Sequence, residues 1–328
     1  MTSSRPGRTA DETVDARSAS VGPALVALRS GRAVVLVDDH NPHADCELVF
    51  AARDATPDMV SFAVRHTSGF LEVSLPAAEA DRLDIPAMVS GRGSATSHGV
   101  AVDAIGVGTG ISAVDRSRTI ALLGESGTVA SQLTRPGHVV TYRAHEAGVF
   151  AEMTLAEASC DLVQLAGAGF AAARATLMSE RFPAEAARLP EIEDWARVHG
   201  CEIVTVSALV AYRLRCGDFG GDDLKRFEIR VHGAVFEAAR WDDGDIETTA
   251  LVLGPAPHHG TPDIHTECLH SVFDAEGCHC RARLVEATRA IADRGEGVLL
   301  YRRALTSSSG FGSRADMRAR VEVDSPHT

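Results

Sequence analysis

The chain predicts an α+β protein built in two unequal parts, and three observations lead to that expectation. Between residues 22 and 213, short apolar strand runs alternate with capped helices, the mixture that builds a helix-covered sheet. Beyond Arg213 the pattern turns to closely spaced β-type runs followed by one long helix. At 328 residues the chain is long enough for two domains, each with its own core.

Taken in order, residues 23–29 read as a short helix, with Pro23 in its first turn and Gly31 beyond its end. Residues 33–37 are a fully apolar strand run that stops at Asp38-Asp39, and residues 47–51 resume an extended run after a polar loop. Thr56-Pro57-Asp58 starts a helix, with a hydroxyl N-cap, proline at the first position and an acid in the first turn. Ser112 and Asp115 supply the N-cap and N3 acid of a helix running through Leu123. Residues 190–199 form a helix closed by Gly200, residues 202–206 a strand, and Ser207 opens a helix ending near Tyr212. Gly217, Gly220 and Gly221, in or beside the acidic stretch 218–223, mark a linker or loop and place a boundary near residue 215. Strand runs follow at 226–231, 234–239 and 248–253, then a helix over 281–293 ended by Gly295 and a strand over 297–301. Residues 1–20 are polar and are expected to form a disordered lead, and the Gly/Ser-rich tail from Ser307 a loose end.

Charge and composition exclude several function classes. A formal charge of -13 argues against nucleic acid, whose phosphates need a Lys/Arg-rich face, and against an anionic membrane surface. No apolar run approaches the length of a membrane span, and residues 1–20 lack the apolar stretch of a signal peptide. Seven unevenly placed cysteines suggest reduced thiols or metal ligands rather than a disulfide framework, and a cytoplasmic protein is expected.

Three runs carry more information than any single element: Arg65-His66-Thr67-Ser68-Gly69, Gly108-Thr109-Gly110-Ile111-Ser112-Ala113-Val114-Asp115-Arg116 and Arg135-Pro136-Gly137-His138. With Leu36-Val37-Asp38-Asp39 and the closing Leu209-Val210-Ala211-Tyr212-Arg213, their order and spacing resemble 3,4-dihydroxy-2-butanone 4-phosphate synthase over roughly residues 22–213. The resemblance implies a synthase-type mixed α/β sandwich and a small phosphorylated substrate. It also implies a magnesium or manganese ion that holds an enediolate after proton abstraction, and a homodimer with pockets near the subunit interface.

The centre of this frame is rewritten. Where the family has Asp-Asp-x-x-Arg-Glu-x-Glu-Gly-Asp, this chain reads Asp38-Asp39-His40-Asn41-Pro42-His43-Ala44-Asp45-Cys46-Glu47. His43 thus replaces a metal-ligand glutamate, and Pro42 a substrate-contacting arginine. Where the family has Thr-Arg-x-Gly-His-Thr-Glu, the chain has Ala151-Glu152-Met153-Thr154-Leu155-Ala156-Glu157, which puts Leu155 at the second ligand position and Glu152 at a phosphate-facing arginine. Such a charge reversal costs several kcal/mol at ~4 Å from a phosphate. The family's late catalytic glutamate falls at about Met178, with Glu180 the nearest acid.

Two readings follow, a repurposed enzyme or an inert paralogue that partners intact riboflavin enzymes, including as a hetero-dimer. For the enzyme, Asp38, His43, Asp45 and His138 are the acid–base candidates, with His43, Asp45 and Glu47 also able to bind a divalent ion. His66, Ser68, Thr109, Ser112, Asp115, Arg116 and Arg135 are candidates for holding substrate. Ser112 has a structural alternative as a helix cap and Asp115-Arg116 as an ion pair, whereas Arg135 and His138 are the better functional candidates, since a sharp Pro-Gly turn would present both side chains.

The second part carries His265-Thr266-Glu267-Cys268, Cys278-His279-Cys280 and Gly297-Val298-Leu299-Leu300-Tyr301, which resemble the front of GTP cyclohydrolase II. The resemblance implies a smaller, truncated α/β domain over residues 215–306, with Cys268, Cys278 and Cys280 binding zinc, although the first gap is one residue shorter than usual. His270 and His279 are alternative ligands, and buried free thiols the structural alternative. Arg302-Arg303-Ala304-Leu305-Thr306-Ser307-Ser308-Ser309-Gly310 stands in place of the family's phosphate-contacting stretch, and Asp263 replaces an arginine. These changes, with the early end at Thr328, argue against cyclohydrolase activity.

Overall fold

A computed structural model describes residues 21–39, 46–88, 97–216, 225–242, 246–254, 263–268 and 278–304. The expected lead and tail, the acidic linker, His270 and the loop residues His40, His43 and Asp45 lie outside the described residues.

The first sheet has seven strands, in the order β4-β5-β3-β6-β2-β1-β7. They are β1 (Val34–Val37), β2 (Cys46–Ala51), β3 (Glu72–Pro76), β4 (Ser97–Ala104), β5 (Leu133–Ala144), β6 (Ala172–Thr176) and β7 (Glu202–Thr205). The pairs β1/β7 and β3/β5 are parallel and the others antiparallel. Its helices are α1 (Val21–Arg29), α2 (Pro57–His66), α3 (Ala77–Arg82), α4 (Ala113–Leu123), α5 (Leu155–Leu165), α6 (Leu189–His199) and α7 (Val206–Cys216). The second sheet, β11-β12-β10-β9-β8, uses β8 (Lys225–Val231), β9 (Ala234–Asp242), β10 (Ile246–Leu253), β11 (Asp263–Thr266) and β12 (Gly297–Ala304), with α8 (Cys280–Arg294) against it.

The caps form as the residues dictate. Thr56 Oγ1 accepts from the Met59 N–H at 3.2 Å and Ser112 Oγ from the Asp115 N–H at 3.0 Å. Gly200 and Gly295 end α6 and α8 in the left-handed region, at φ 65° and 77°. The expected strand 202–206 stops one residue early, because Thr205 Oγ1 accepts from the Ala208 N–H and turns the chain into α7. Asp39, at the end of β1, caps the same helix through the Ser207 N–H at 3.1 Å.

One expectation is corrected. Arg135-Pro136-Gly137-His138 is not a chain-reversing turn but a bulge inside β5: Asp103 pairs with Thr134 while Val102 pairs with Val139. Pro136 has no N–H for the ladder, and a Cβ on Gly137 would collide with the Val102 backbone, so both residues suit a bulge pressed against β4.

Strand alternation divides the core. Leu48, Phe50, Ala173 and Ala175 face a cluster that takes in Val60 and Ala63 of α2 and Trp195 of α6. Val49, Ala51 and Ala172 face the other, formed with α1, α5 and α7. That second cluster continues into the second sheet through Trp241, Ala250, Val298 and Leu300, with Trp241 meeting Phe150 edge-on at 5.2 Å. The second sheet is therefore seated on the first part through a shared core.

Candidate functional site

On the α5 side of the first sheet, a guanidinium is buried between two carboxylates. Alternation puts Glu47, Glu72, Ser74 and Arg174 on this face, and Glu72 lies directly opposite Arg174 in the β3/β6 register. Arg174 Nη1 donates to Glu47 Oε1 and Oε2 at 2.8 and 3.1 Å, Nη2 lies 3.0 Å from Glu72 Oε2, and Nε donates to Ser74 Oγ at 2.8 Å. Burial by itself would lower the guanidinium's pKa, but Glu47 and Glu72 outweigh it and raise the value. The ring of Tyr142 lies 5.3 Å from the guanidinium carbon. Glu72 Oε1 also meets His98 Nε2 at 2.6 Å, and His98 opens the cluster to solvent.

Helix α5 covers this cluster and carries Glu157, whose side chain is fully buried. The Thr154 hydroxyl and the His145 N–H donate to it, but burial dominates and pushes its carboxyl up to about 7. Between about 4.5 and about 7 the folded chain therefore holds a proton that the unfolded chain has lost, so stability falls as pH rises through that window. Glu157→Gln is expected to flatten this slope and to raise stability at neutral pH by on the order of 2–3 kcal/mol. Urea midpoints of both proteins at several pH values check this, and parallel pH profiles would refute it.

The runs of the kept frame converge elsewhere. His138 Nδ1 lies 2.7 Å from Asp103 Oδ2, and the His138 N–H donates to Asp103 Oδ1 at 2.9 Å. Gly110, at φ 84°, packs so closely that a Cβ would strike both the Asp103 carboxylate and the His138 ring. Asp115 accepts from the N–H groups of Gly108 and Gly110 at 3.3 and 3.2 Å, and despite some desolvation these bonds and Ser112 hold its carboxyl below the usual range. Asp115 thus braces the loop and does not pair with Arg116. Arg116 instead donates to the Gly69 carbonyl at 2.9 Å, tying α4 to the end of the Arg65–Gly69 run. Arg135 donates to the carbonyls of Leu83 and Leu133. Thr109 and Ser112 remain exposed on the loop that carries Gly110.

The predicted site residues therefore fall into separate places. His138, Thr109, Ser112 and Asp115 share the loop region, and Asp38 sits half-buried at the end of β1. Ser68 accepts from the Phe70 N–H at 3.3 Å in its own turn. His66 packs among Phe62, Trp195 and His199 on the opposite face of the sheet, where burial and then His199 lower its pKa. Glu72, His98, Asp103 and Arg174 were not singled out from sequence. The available signal was Glu72 and Arg174, charged residues inside the apolar runs 70–75 and 171–175. The described part of the site does not fit magnesium. Leu155 offers no ligand atom, and Glu47 already has both oxygens on the fixed Arg174 cation.

In the second part, Cys268, Cys278 and Cys280 bring their sulfurs within 4.8 Å of one another, and Cys268 Sγ and Cys278 Sγ are 3.9 Å apart. Tetrahedral zinc with ~2.3 Å bonds to sulfur needs thiolates roughly 3.8 Å apart, so the three fit that ion and leave a fourth position. Next to them a cavity of about 560 Å³ lies between β11 and α8, lined by Asp263, His265, Cys280, Arg283 and Glu286 among others. His265 stacks on Tyr301 at 5.6 Å, and the Tyr301 hydroxyl donates to Glu267 at 2.8 Å.

Comparison with known proteins follows the same division. A family model for 3,4-dihydroxy-2-butanone 4-phosphate synthase matches residues 23–212, and one for GTP cyclohydrolase II matches residues 223–324. The riboflavin biosynthesis protein RibBA of Mycobacterium marinum is 36% identical over 296 residues, covering 87% of this chain and 69% of its own. The protein of the same name from Rhodococcus jostii is also 36% identical, with 71% of its length covered. Among solved structures, RibBX, a two-domain 3,4-dihydroxy-2-butanone 4-phosphate synthase from A. baumannii, aligns over 93% of this chain and 86% of its own, at 25% identity and a TM-score of 0.61. A 3,4-dihydroxy-2-butanone 4-phosphate synthase in complex with two magnesium ions aligns over 61% of this chain and 99% of its own, at 29% identity and a TM-score of 0.56.

Proposed function

The chain belongs to the 3,4-dihydroxy-2-butanone 4-phosphate synthase family, and we propose that it is a diverged member acting on a phosphorylated sugar or related hydroxy-ketone by proton abstraction and elimination. The observation that carries this reading is Arg174. Held by Glu47, Glu72 and Ser74, its guanidinium commits four of its five N–H donors and its charge to the fold rather than to an enediolate. With Leu155 at the second ligand position, the ancestral cleavage of ribulose 5-phosphate lacks the charge stabilisation it needs.

Proton abstraction has better support. Asp103 takes His138 Nδ1 and orients the ring, which leaves Nε2 as the atom that accepts a proton from the carbon beside a carbonyl. The Asp103 carboxylate then stabilises the resulting imidazolium. The Thr109 and Ser112 hydroxyls stand on the same loop to hold substrate oxygens, and Asp38, His43 and Asp45 are the remaining acid–base candidates. Ile111 and Val114, 53% and 63% exposed at the start of α4, give this face the apolar surface that a homodimer would cover. In the second part, Cys268, Cys278 and Cys280 would hold zinc, which when bound supplies a rigid cross-link and an open Lewis-acid position. Residues 302–310 stand in place of the family's phosphate-contacting stretch and Asp263 replaces an arginine, which argues against GTP cyclohydrolase II activity. Arg174 and Leu155 also favour a second reading, an inactive partner of an intact relative.

Purified protein with ribulose 5-phosphate and magnesium, beside an intact family enzyme, is expected to release no formate. Formate at the rate of the control would sink the divergence. Deuterium wash-in beside the carbonyl of a panel of sugar phosphates tests the chemistry. His138→Ala should slow exchange by about 10²–10⁴-fold, whereas a wild-type protein inert to the whole panel would leave the inactive partner as the reading.

A further inference from the structure

We propose that His66, His199 and Glu180 form a binding site for a borderline divalent transition metal of the zinc class, separate from both the Arg174 cluster and the three cysteines. The imidazole nitrogens and a carboxylate oxygen of these residues all lie within 4.8 Å of one another. They come from three places in the fold: the last residue of α2, the last residue of α6 and the segment after β6. Phe62 and Trp195 pack into the α2/α6 core, which places this trio on the face of the first sheet opposite Arg174.

The chemistry of the set selects the ion. Two imidazoles and one carboxylate are the ligands that zinc, cobalt and nickel prefer, whereas magnesium requires oxygen-rich surroundings. Tetrahedral zinc with ~2.05 Å bonds needs ligand atoms roughly 3.3 Å apart, a contraction within reach of side-chain rotation. The surroundings are those of a ligand pair. The two imidazole rings are 4.6 Å apart, and Phe62 and Trp195 stand against both, at 4.6 and 5.4 Å and at 5.7 and 4.4 Å. This apolar wall lowers the local dielectric and limits water. Among the described residues, neither ring nor the Glu180 carboxylate makes a hydrogen bond or close ion pair that would compete. Glu180 is also pre-positioned, because the Glu191 carboxylate accepts from the N–H groups of Glu180 and Arg181 at 2.6 and 3.2 Å and from the Ser179 hydroxyl at 3.1 Å. A bound ion would fasten this segment to the ends of α2 and α6 and keep one position open to solvent.

Full-length protein, stripped of metal and then titrated with zinc, tests the proposal by metal content. The double variant His66→Ala/His199→Ala should bind one equivalent fewer than the parent. Cys278→Ser should lose a different one, and the combined variant both. With cobalt(II), the cysteine set gives thiolate charge-transfer bands in the near ultraviolet. The histidine set gives only ligand-field bands, and these should vanish in His199→Ala alone. Glu180→Gln changes an exposed side chain outside the core, so misfolding does not account for its result. Removing a direct ligand should weaken zinc at this site by at least the ~10–100-fold that outer-shell losses cost. A folded histidine double variant with the parent's zinc content, or an unchanged affinity in Glu180→Gln, would overturn the proposal.

Discussion

Arg174→Met is expected to lower folding stability by about 3–5 kcal/mol, the cost of removing one partner from a buried ion pair and leaving the other charge behind. The effect should fall at the upper end, because two carboxylates, Glu47 and Glu72, would be left facing each other without the guanidinium between them. Ser74 Oγ would lose its donor, and Tyr142 the cation beside its ring. Methionine roughly preserves volume, so the loss would report charge and hydrogen bonding rather than a cavity. The triple variant Arg174→Met/Glu47→Gln/Glu72→Gln should recover most of the stability, because the uncompensated charge goes with its partners. Urea denaturation of the four proteins that make up this cycle decides it. A single-variant loss below about 1 kcal/mol would show that water or rearrangement already solvates the cluster.

Much of the fold can be read from local signals. Thr56-Pro57, Ser112 with Asp115, Gly200 and Gly295 act within one helical turn, so their neighbours suffice to predict what they do. The strand at 34–37 announces itself by an uninterrupted apolar run, and those at 46–51 and 202–205 by short runs rich in Val, Ile, Leu and Phe beside Glu47 and Glu202. The Arg135–His138 bulge depends on how β5 meets β4, a contact made by residues some thirty positions away, and so the Pro-Gly pair taken locally has the signal of a turn. The ion cluster is harder still. Glu47, Glu72 and Arg174 become neighbours only through the β2/β6 and β3/β6 registers, which no window of sequence contains.

The kept runs also have a physical reason to persist whatever the chemistry. Arg116 binds the Gly69 carbonyl, Asp115 the amides of Gly108 and Gly110, and Arg135 the Leu83 carbonyl. Gly110 gives Asp103 and His138 room to meet, and Gly137 lets β5 lie against Val102. Each run is a brace between elements far apart in sequence, so a chain can keep the frame while its centre changes. The family frame therefore identifies the fold more securely than the reaction. In the chemistry proposed above, the residues that would bear on the reaction are His138, whose ring is oriented by Asp103, and the exposed Thr109 and Ser112.

Cys278→Ser, or removal of zinc by a chelator, should have the largest effect on the second part, since structural zinc contributes about 10–16 kcal/mol to small metal-bound folds. The loss should be local. Among the described residues β11 has only β12 as a strand neighbour, and α8 starts at Cys280, so the cysteines join the edge of the sheet to the start of its helix. The centre of the sheet is held differently: Trp241, Ala250, Val298 and Leu300 belong to the core shared with the first part. Hydrogen exchange should therefore speed up in β11 and in the first turns of α8 when zinc is removed, while β9, β10 and β12 keep their protection. Uniform loss across all five strands would mean that zinc, rather than the shared core, holds the second sheet to the first part. A parent protein that retains no zinc, with exchange identical to that of Cys278→Ser, would reduce the three cysteines to free thiols. The gap between the cysteine sulfurs argues for the local outcome: at 3.9 Å the geometry is already close to that of a zinc site, so the ion would lock an arrangement that the packing has brought together.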